Sequence, residues 1–130
     1  MIEGTYVNGE MNGMWAYYYK NGNKRIVQHY KNGIQDGAYT YYAVTGEKDN
    51  ECNYIEGNLN GYYKKYSKNG TVISEGWYAD NEPEGKWLYR HADGQLESTA
   101  YFISGKLHGI SEDYAPDQKS NITVNMNMDS

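Results

Sequence analysis

Gly61-Tyr62-Tyr63-Lys64-Lys65-Tyr66-Ser67-Lys68-Asn69-Gly70 decides the fold, because Gly13-Met14-Trp15-Ala16-Tyr17-Tyr18-Tyr19-Lys20-Asn21-Gly22 says nearly the same thing two steps of 24 residues earlier. Counting outward in that step, Tyr6, Tyr30, Tyr54, Tyr78 and Phe102 form a row of aromatic anchors. Three residues after each anchor stand Gly9, Gly33, Gly57, Asn81 and Gly105; seven after stand Gly13, Gly37, Gly61, Gly85 and Gly109. Nine after stand Trp15, Tyr39, Tyr63, Trp87 and then Ser111, and sixteen after stand Gly22, Gly46, Gly70, Gly94 and then Gln118. The register runs without insertion, the signature of a repeat architecture.

Within a unit, stretches such as Met14–Tyr18 and Arg25–Tyr30 are rich in β-formers and carry no helical period. Asn21-Gly22 and Asn69-Gly70 predict type I′ hairpin turns, which require positive φ. The second connection, as in Asn32-Gly33-Ile34-Gln35-Asp36-Gly37, reads as a longer loop with Gly at both ends. The expectation is an all-β fold: an antiparallel meander of about ten strands, stacked as a single-layer β-hairpin solenoid of five 24-residue repeats. The repeats fill residues 1–118, and the last departs from the pattern, with Ala115-Pro116-Asp117-Gln118 in place of the Gly turn. In the tail, 119–130, the alternation from Asn121 to Met128 reads as a capping edge strand, with Ile122 and Met126 in the slots of Ile26 and Tyr30.

Composition fits such a sheet. Ile, Leu, Val and Phe make only 18 of 130 residues, whereas Tyr numbers 16, Trp 3 and Gly 15. Order must therefore come from rings, whose cross-strand pairs contribute roughly 0.5–1.5 kcal/mol each beyond the area they bury. No stretch approaches the length of a membrane-spanning helix, and Met1–Thr5 has neither a basic nor an apolar leader region. The expected compartment is a reducing cytoplasm, since the single cysteine, Cys52, can close no internal disulfide. A net charge of −5 argues against binding nucleic acid.

The spacing Gly-x-Trp/Tyr-x-x-Tyr, Asn-Gly and Tyr-x-x-Gly-x-x-x-Gly resembles the MORN-repeat variant (membrane occupation and recognition nexus) over roughly residues 4–114. Bacterial proteins of that kind include antitoxins of the YwqK type. The resemblance implies a non-catalytic protein-binding module, an antitoxin or immunity protein that neutralises a toxin by contact. A scaffold or homodimer pairing through an edge strand is the alternative it leaves open, and peripheral membrane contact a more distant one.

The residue inventory points the same way. His29, His91 and His108 fall in three different slots, so no catalytic or metal-binding cluster forms in the predicted meander, and no cofactor is expected. Cys52 shares its slot with Gln28, Gly76 and Ala100 and reads as a small packing residue.

Charge is unevenly placed. The edge after the anchors carries Glu10, Asp36, Glu56, Asp80, Glu82 and Glu84 against Lys31 and Lys106, net −4. The hairpin edge carries Lys20, Lys24, Lys48, Lys68 and Lys119 against Glu47, Asp93 and Asp117, net +2. An acidic rim keeps a sheet soluble, and it also suits a basic partner such as a toxin domain. Candidate partner-binding residues are therefore Asp36, Glu56, Asp80, Glu82 and Glu84 on the rim. To these are added Trp15, Tyr17, Tyr39, Tyr41, Trp87 and Tyr89, which alternation places on one sheet face as packing rungs or as partner anchors.

Overall fold

A computed structural model of the chain describes residues 1–112 and 122–124. The strands are β1 (Ile2–Val7), β2 (Glu10–Tyr18), β3 (Lys24–Lys31), β4 (Ile34–Gln35), β5 (Gly37–Tyr42), β6 (Lys48–Ile55), β7 (Asn58–Tyr66), β8 (Val72–Ala79), β9 (Glu82–Arg90), β10 (Leu96–Ile103), β11 (Lys106–Glu112) and β12 (Ile122–Val124). Eleven of them lie side by side in chain order as one open antiparallel meander, with β4 pairing β3 beside that path. The expected ten strands become more because a bulge at Asp36-Gly37 cuts one strand into β4 and β5, and because the tail adds β12.

The two turn types are the reverse of the expectation. Both central residues have positive φ at Asn8-Gly9, Asn32-Gly33, Glu56-Gly57, Asp80-Asn81 and Ser104-Gly105, so the tight two-residue type I′ turns follow the anchors. The supposed long loop is such a turn, with Ile34-Gln35 already in strand and a bulge at Gly37, whose φ of 115° few side-chain-bearing residues adopt. At Asn21-Gly22 only Gly22 has positive φ. There Gly22 N–H donates to Tyr19 O (3.0 Å) and Tyr19 N–H to Asn23 O (2.8 Å), a type I turn closed by a glycine bulge. The Asn21 Oδ1 accepts Asn23 N–H at 2.9 Å, and Asn69 Oδ1 accepts Thr71 N–H at 3.2 Å. This local bond holds the asparagine in the turn and leaves the left-handed residue to glycine.

Register explains the core. Residues directly opposite on neighbouring strands point to the same face. Trp15 faces Gln28, Tyr39 faces Cys52, Tyr63 faces Gly76 and Trp87 faces Ala100. Each ring also reaches the next anchor: Trp15–Tyr30, Tyr39–Tyr54, Tyr63–Tyr78 and Trp87–Phe102 lie edge to face at 6.4, 5.9, 5.8 and 6.3 Å. The result is an aromatic ladder on one face, in three groups of touching rings: Tyr6–Trp15–Tyr30, Tyr39–Tyr54 and Tyr63–Tyr78–Trp87–Phe102. Trp15 and Trp87 are buried, at 6% and 4% exposure, as are Cys52 and Ala100 between the rungs.

The two ladder tryptophans, Trp15 and Trp87, each lie over a glycine. A Cβ on Gly4 would fall 2.0 Å from Trp15 Cδ2, and one on Gly76 would fall 2.0 Å from Trp87 Cδ2. Each indole N–H then donates to a carbonyl, Trp15 to Thr5 O and Trp87 to Trp77 O, both at 3.2 Å.

The opposite face carries a second ladder of polar pairs fifteen residues apart. Tyr18 Oη donates to Glu3 (2.6 Å), Tyr66 Oη donates to Glu51 (2.7 Å), and the Arg90 guanidinium holds Glu75. In the second repeat Val27 takes the acid's place. The unit spacing is fixed at the type I′ edge too. Gly33, Gly57, Asn81 and Gly105 donate their N–H to Met11, Gln35, Leu59 and Pro83 carbonyls of the preceding repeat, at 2.9, 2.7, 2.8 and 3.1 Å.

The strand pairing at the C-terminus corrects the expected register. The repeat would set Ser111 opposite Val124, but Thr123 lies there and Val124 faces Ile110. Ser111 has no ring to seat on the ladder, and a sheet without such a constraint slips by one residue. The Ala115–Gln118 segment and Met126 lie outside the described residues.

Candidate protein-binding surface

Four of the six rim acids, Glu10, Glu56, Asp80 and Glu82, are exposed along the type I′ edge. Asp36 and Glu84 are half-buried and occupied: Asp36 Oδ1 accepts Glu56 N–H (3.0 Å) and Glu84 Oε1 accepts Ser104 N–H (2.8 Å). Asn12 does the same for Asn32 N–H at 3.2 Å. These side chains tie one turn to the next. Asp80 receives an amide proton from Asn60 at 3.2 Å, so it is anchored yet remains at the surface.

The six ring candidates do share one face. Trp15 and Trp87 sit in its buried row, and Tyr39 stands between them, half-buried. Tyr17, Tyr41 and Tyr89 occupy the adjoining row, also half-buried, where Tyr17 faces Ile26, Ile26 faces Tyr41 and Ser74 faces Tyr89. Arg25 lies 5.9 Å over the Tyr17 ring. Both tryptophans thus belong to the packed ladder and present little surface to a partner.

Seven of the exposed apolar side chains lie on the other face. Val7, Met14, Ile34, Ile55, Trp77, Tyr101 and Ile103 all point there, and all occupy the half of the sheet next to the type I′ turns. Val7, Ile34, Ile55 and Ile103 flank the turns themselves, so they interleave with Glu10, Glu56 and Glu82. Lys31, Asn32, Ile34, Asp36, Ile55 and Glu56 line an open groove of about 390 Å³ between the second and third repeats at this edge. Trp77, at 55% exposure, faces Tyr62 across the strand pair. Sequence reasoning missed this set. Its signal was the two slots flanking each anchor, where Trp77 and Tyr101 on one side and Val7, Ile55 and Ile103 on the other alternate away from the ladder.

The shifted titratable groups sit in contacts that hold the sheet together. Burial pushes the Cys52 thiol up to about 11, far from a reactive thiolate. Burial, then the bond to Glu51, pushes Tyr66 up to about 12. The bond from Lys65 holds Asp49 below the usual carboxylate range at 2.8 Å. Glu51 is also held low: burial opposes this, but bonds from Tyr66 and Lys48 outweigh it. His29 Nδ1 meets Ala38 O at 3.0 Å and His91 lies 3.6 Å from Glu97, so the two imidazoles serve separate local contacts. Among the described residues no three His, Cys, Asp or Glu side chains converge as a metal site, and no helix is long and apolar enough to cross a membrane.

No family model and no curated protein matches the chain. Among solved structures it is similar to a chain of the GtfA/B complex bound to UDP and GlcNAc, at 12% identity and a TM-score of 0.38. That likeness covers 96% of this chain and 23% of the other, so this chain spans about a quarter of that relative's length.

Proposed function

We propose that this chain is a non-catalytic protein-binding module that meets its partner along the type I′ turn edge. The observation that carries the reading is the coincidence on one edge of exposed carboxylates, Glu10, Glu56, Asp80 and Glu82, with exposed aliphatic side chains, Val7, Ile34, Ile55 and Ile103. Apolar groups within a charged fringe make the ordinary composition of a protein interface. The sign of the fringe selects a basic partner and speeds its encounter.

Joined to the MORN-variant resemblance, this favours an antitoxin or immunity protein that blocks a basic toxin domain by occupying its surface. The test is co-expression with the product of the neighbouring reading frame. The expected result is a stoichiometric complex together with relief of growth arrest caused by that product. A neighbour that is toxic but neither bound nor relieved would overturn the antitoxin reading. A chain found alone as a stable dimer by mass measurement would favour the scaffold reading. Flotation with anionic vesicles would reveal a membrane-associated role, which the acidic edge opposes.

A further inference from the structure

Each anchor strand after the first receives two contacts from the strand before it, and three of the four receive a third. A ring seats against the anchor at 5.8–6.4 Å, as in Trp15–Tyr30 and Tyr63–Tyr78. A main-chain carbonyl accepts the N–H of the second turn residue at 2.7–3.1 Å, as Met11 does for Gly33 and Gln35 for Gly57. In three of the four cases a side-chain oxygen accepts the N–H of the first turn residue, as Asp36 does for Glu56. The supplying pattern is short: a residue that gives its carbonyl, then Asn, Asp or Glu, then Gly, then any residue, then Trp or Tyr. It occurs as Met11–Trp15, Gln35–Tyr39, Leu59–Tyr63 and Pro83–Trp87.

β1 has all the receiving groups, but among the described residues nothing supplies it with these three contacts. All six of its residues are exposed, and its outer edge pairs with no strand among the described residues. Tyr6 touches Trp15 of the following strand at 5.0 Å, has no ring on its outer side, and is 64% exposed, whereas Tyr30, Tyr54, Tyr78 and Phe102 are half-buried. Among the described residues the N–H groups of Asn8 and Gly9 have no acceptor, although the turn has the same φ signs as its four successors. Ile2-Glu3-Gly4-Thr5-Tyr6-Val7 also lacks the lysine or proline that commonly blocks an edge strand.

We propose that the outer edge of β1 accepts an extended segment of a partner protein by strand addition, read by that pattern: carbonyl to Gly9, Asn or acid to Asn8, Gly, then an aromatic ring on Tyr6. Main-chain pairing supplies the affinity and the two side chains supply the selection. The occupant is a segment of a partner protein, because no stretch of the described residues is free to fill that place. In this chain the four stretches with the pattern are each covered on both sides, and the fifth, Leu107-His108-Gly109-Ile110-Ser111, has His and Ser in the selecting positions. The inference goes beyond the acidic-edge reading and does not depend on it.

The experiment is an amide-resolved NMR titration of the whole chain with a synthetic peptide of the sequence Ile34–Ala43. The expected result is saturable one-to-one binding, with shifts confined to the Ile2–Gly9 hairpin and slowed hydrogen exchange at Asn8 and Gly9. A peptide carrying both Asp36→Ala and Tyr39→Ala should bind about tenfold more weakly or worse, a loss set by one ring pair and one charge-assisted hydrogen bond. Tyr6→Ala in the protein should weaken the native peptide similarly while exchange in β5–β9 stays unchanged, which separates lost recognition from lost folding. Equal binding of the two peptides, shifts centred elsewhere, or no binding would overturn the proposal. So would protection of Gly9 that grows with protein concentration alone, since a second copy would then fill the edge.

Discussion

The indole of Trp87 lies over Gly76 so closely that a single methyl group on Gly76 would fall 2.0 Å from Cδ2. Tyr63 stands over Cys52, which has a side chain, in the same relationship one repeat earlier. Ring size and the size of the residue beneath it are therefore matched along the ladder.

Gly76→Ala should destabilise the chain by about 1–3 kcal/mol, the usual cost of overpacking, because Gly76 has no positive φ to complicate the exchange. Combining it with Trp87→Tyr should recover part of the loss, since a tyrosine over a Cβ-bearing residue is a native combination. Urea unfolding of the four corners of this cycle measures the coupling. Additive losses would show that the indole and the glycine do not share one space.

Much of this was legible in the sequence. The step of 24 residues gave strand number to within one or two, the single sheet and the shared face of Trp15, Tyr39 and Trp87, because ladder positions must recur in phase. The turn chemistry was not legible from Asn21-Gly22 alone. The same dipeptide serves a type I′ turn or the end of a type I turn, and the side-chain bond to Asn23 decides between them. The exposed Trp77 was passed over for a related reason: a tryptophan on a strand reads as core until register shows which face it takes.

Alkaline conditions should unfold the chain. Burial raises the hydroxyls of Tyr39, Tyr54, Tyr63, Tyr78 and Tyr89, and Tyr66 reaches about 12. A group whose folded pKa is raised contributes stability that is fully present below its unfolded value, here about 10, and is lost as pH rises through the folded value. Circular dichroism should be lost together with the last step of tyrosinate absorbance, that of these six rings, between about pH 10 and 12. Complete tyrosinate absorbance with the β signal intact would contradict the ladder as the source of order.

On the acid side the sign reverses. Asp49 and Glu51 are held low by Lys65 and by Tyr66 and Lys48, so the stability they contribute is present above the unfolded carboxylate range and lost as pH falls through the folded values. Asp49→Asn with Glu51→Gln should flatten the fall in urea midpoint below about pH 4. An unchanged acid limb would place the acid sensitivity elsewhere.

Cys52 is 4% exposed and its thiol is pushed up to about 11. Native protein should therefore react with a maleimide at least about tenfold more slowly than urea-unfolded protein at neutral pH. Comparable rates would show that the middle of the ladder opens readily.

The most direct measurement of the central claim, that the acidic turn edge meets a basic protein partner, is the association rate of the complex as a function of salt for the native chain and for Glu56→Lys/Asp80→Lys/Glu82→Lys. The account predicts that the native rate falls steeply with salt, and that the variant associates about tenfold or more slowly at low salt and nearly loses the dependence, with its fold unchanged. Equal rates and equal salt slopes for the two proteins would contradict it.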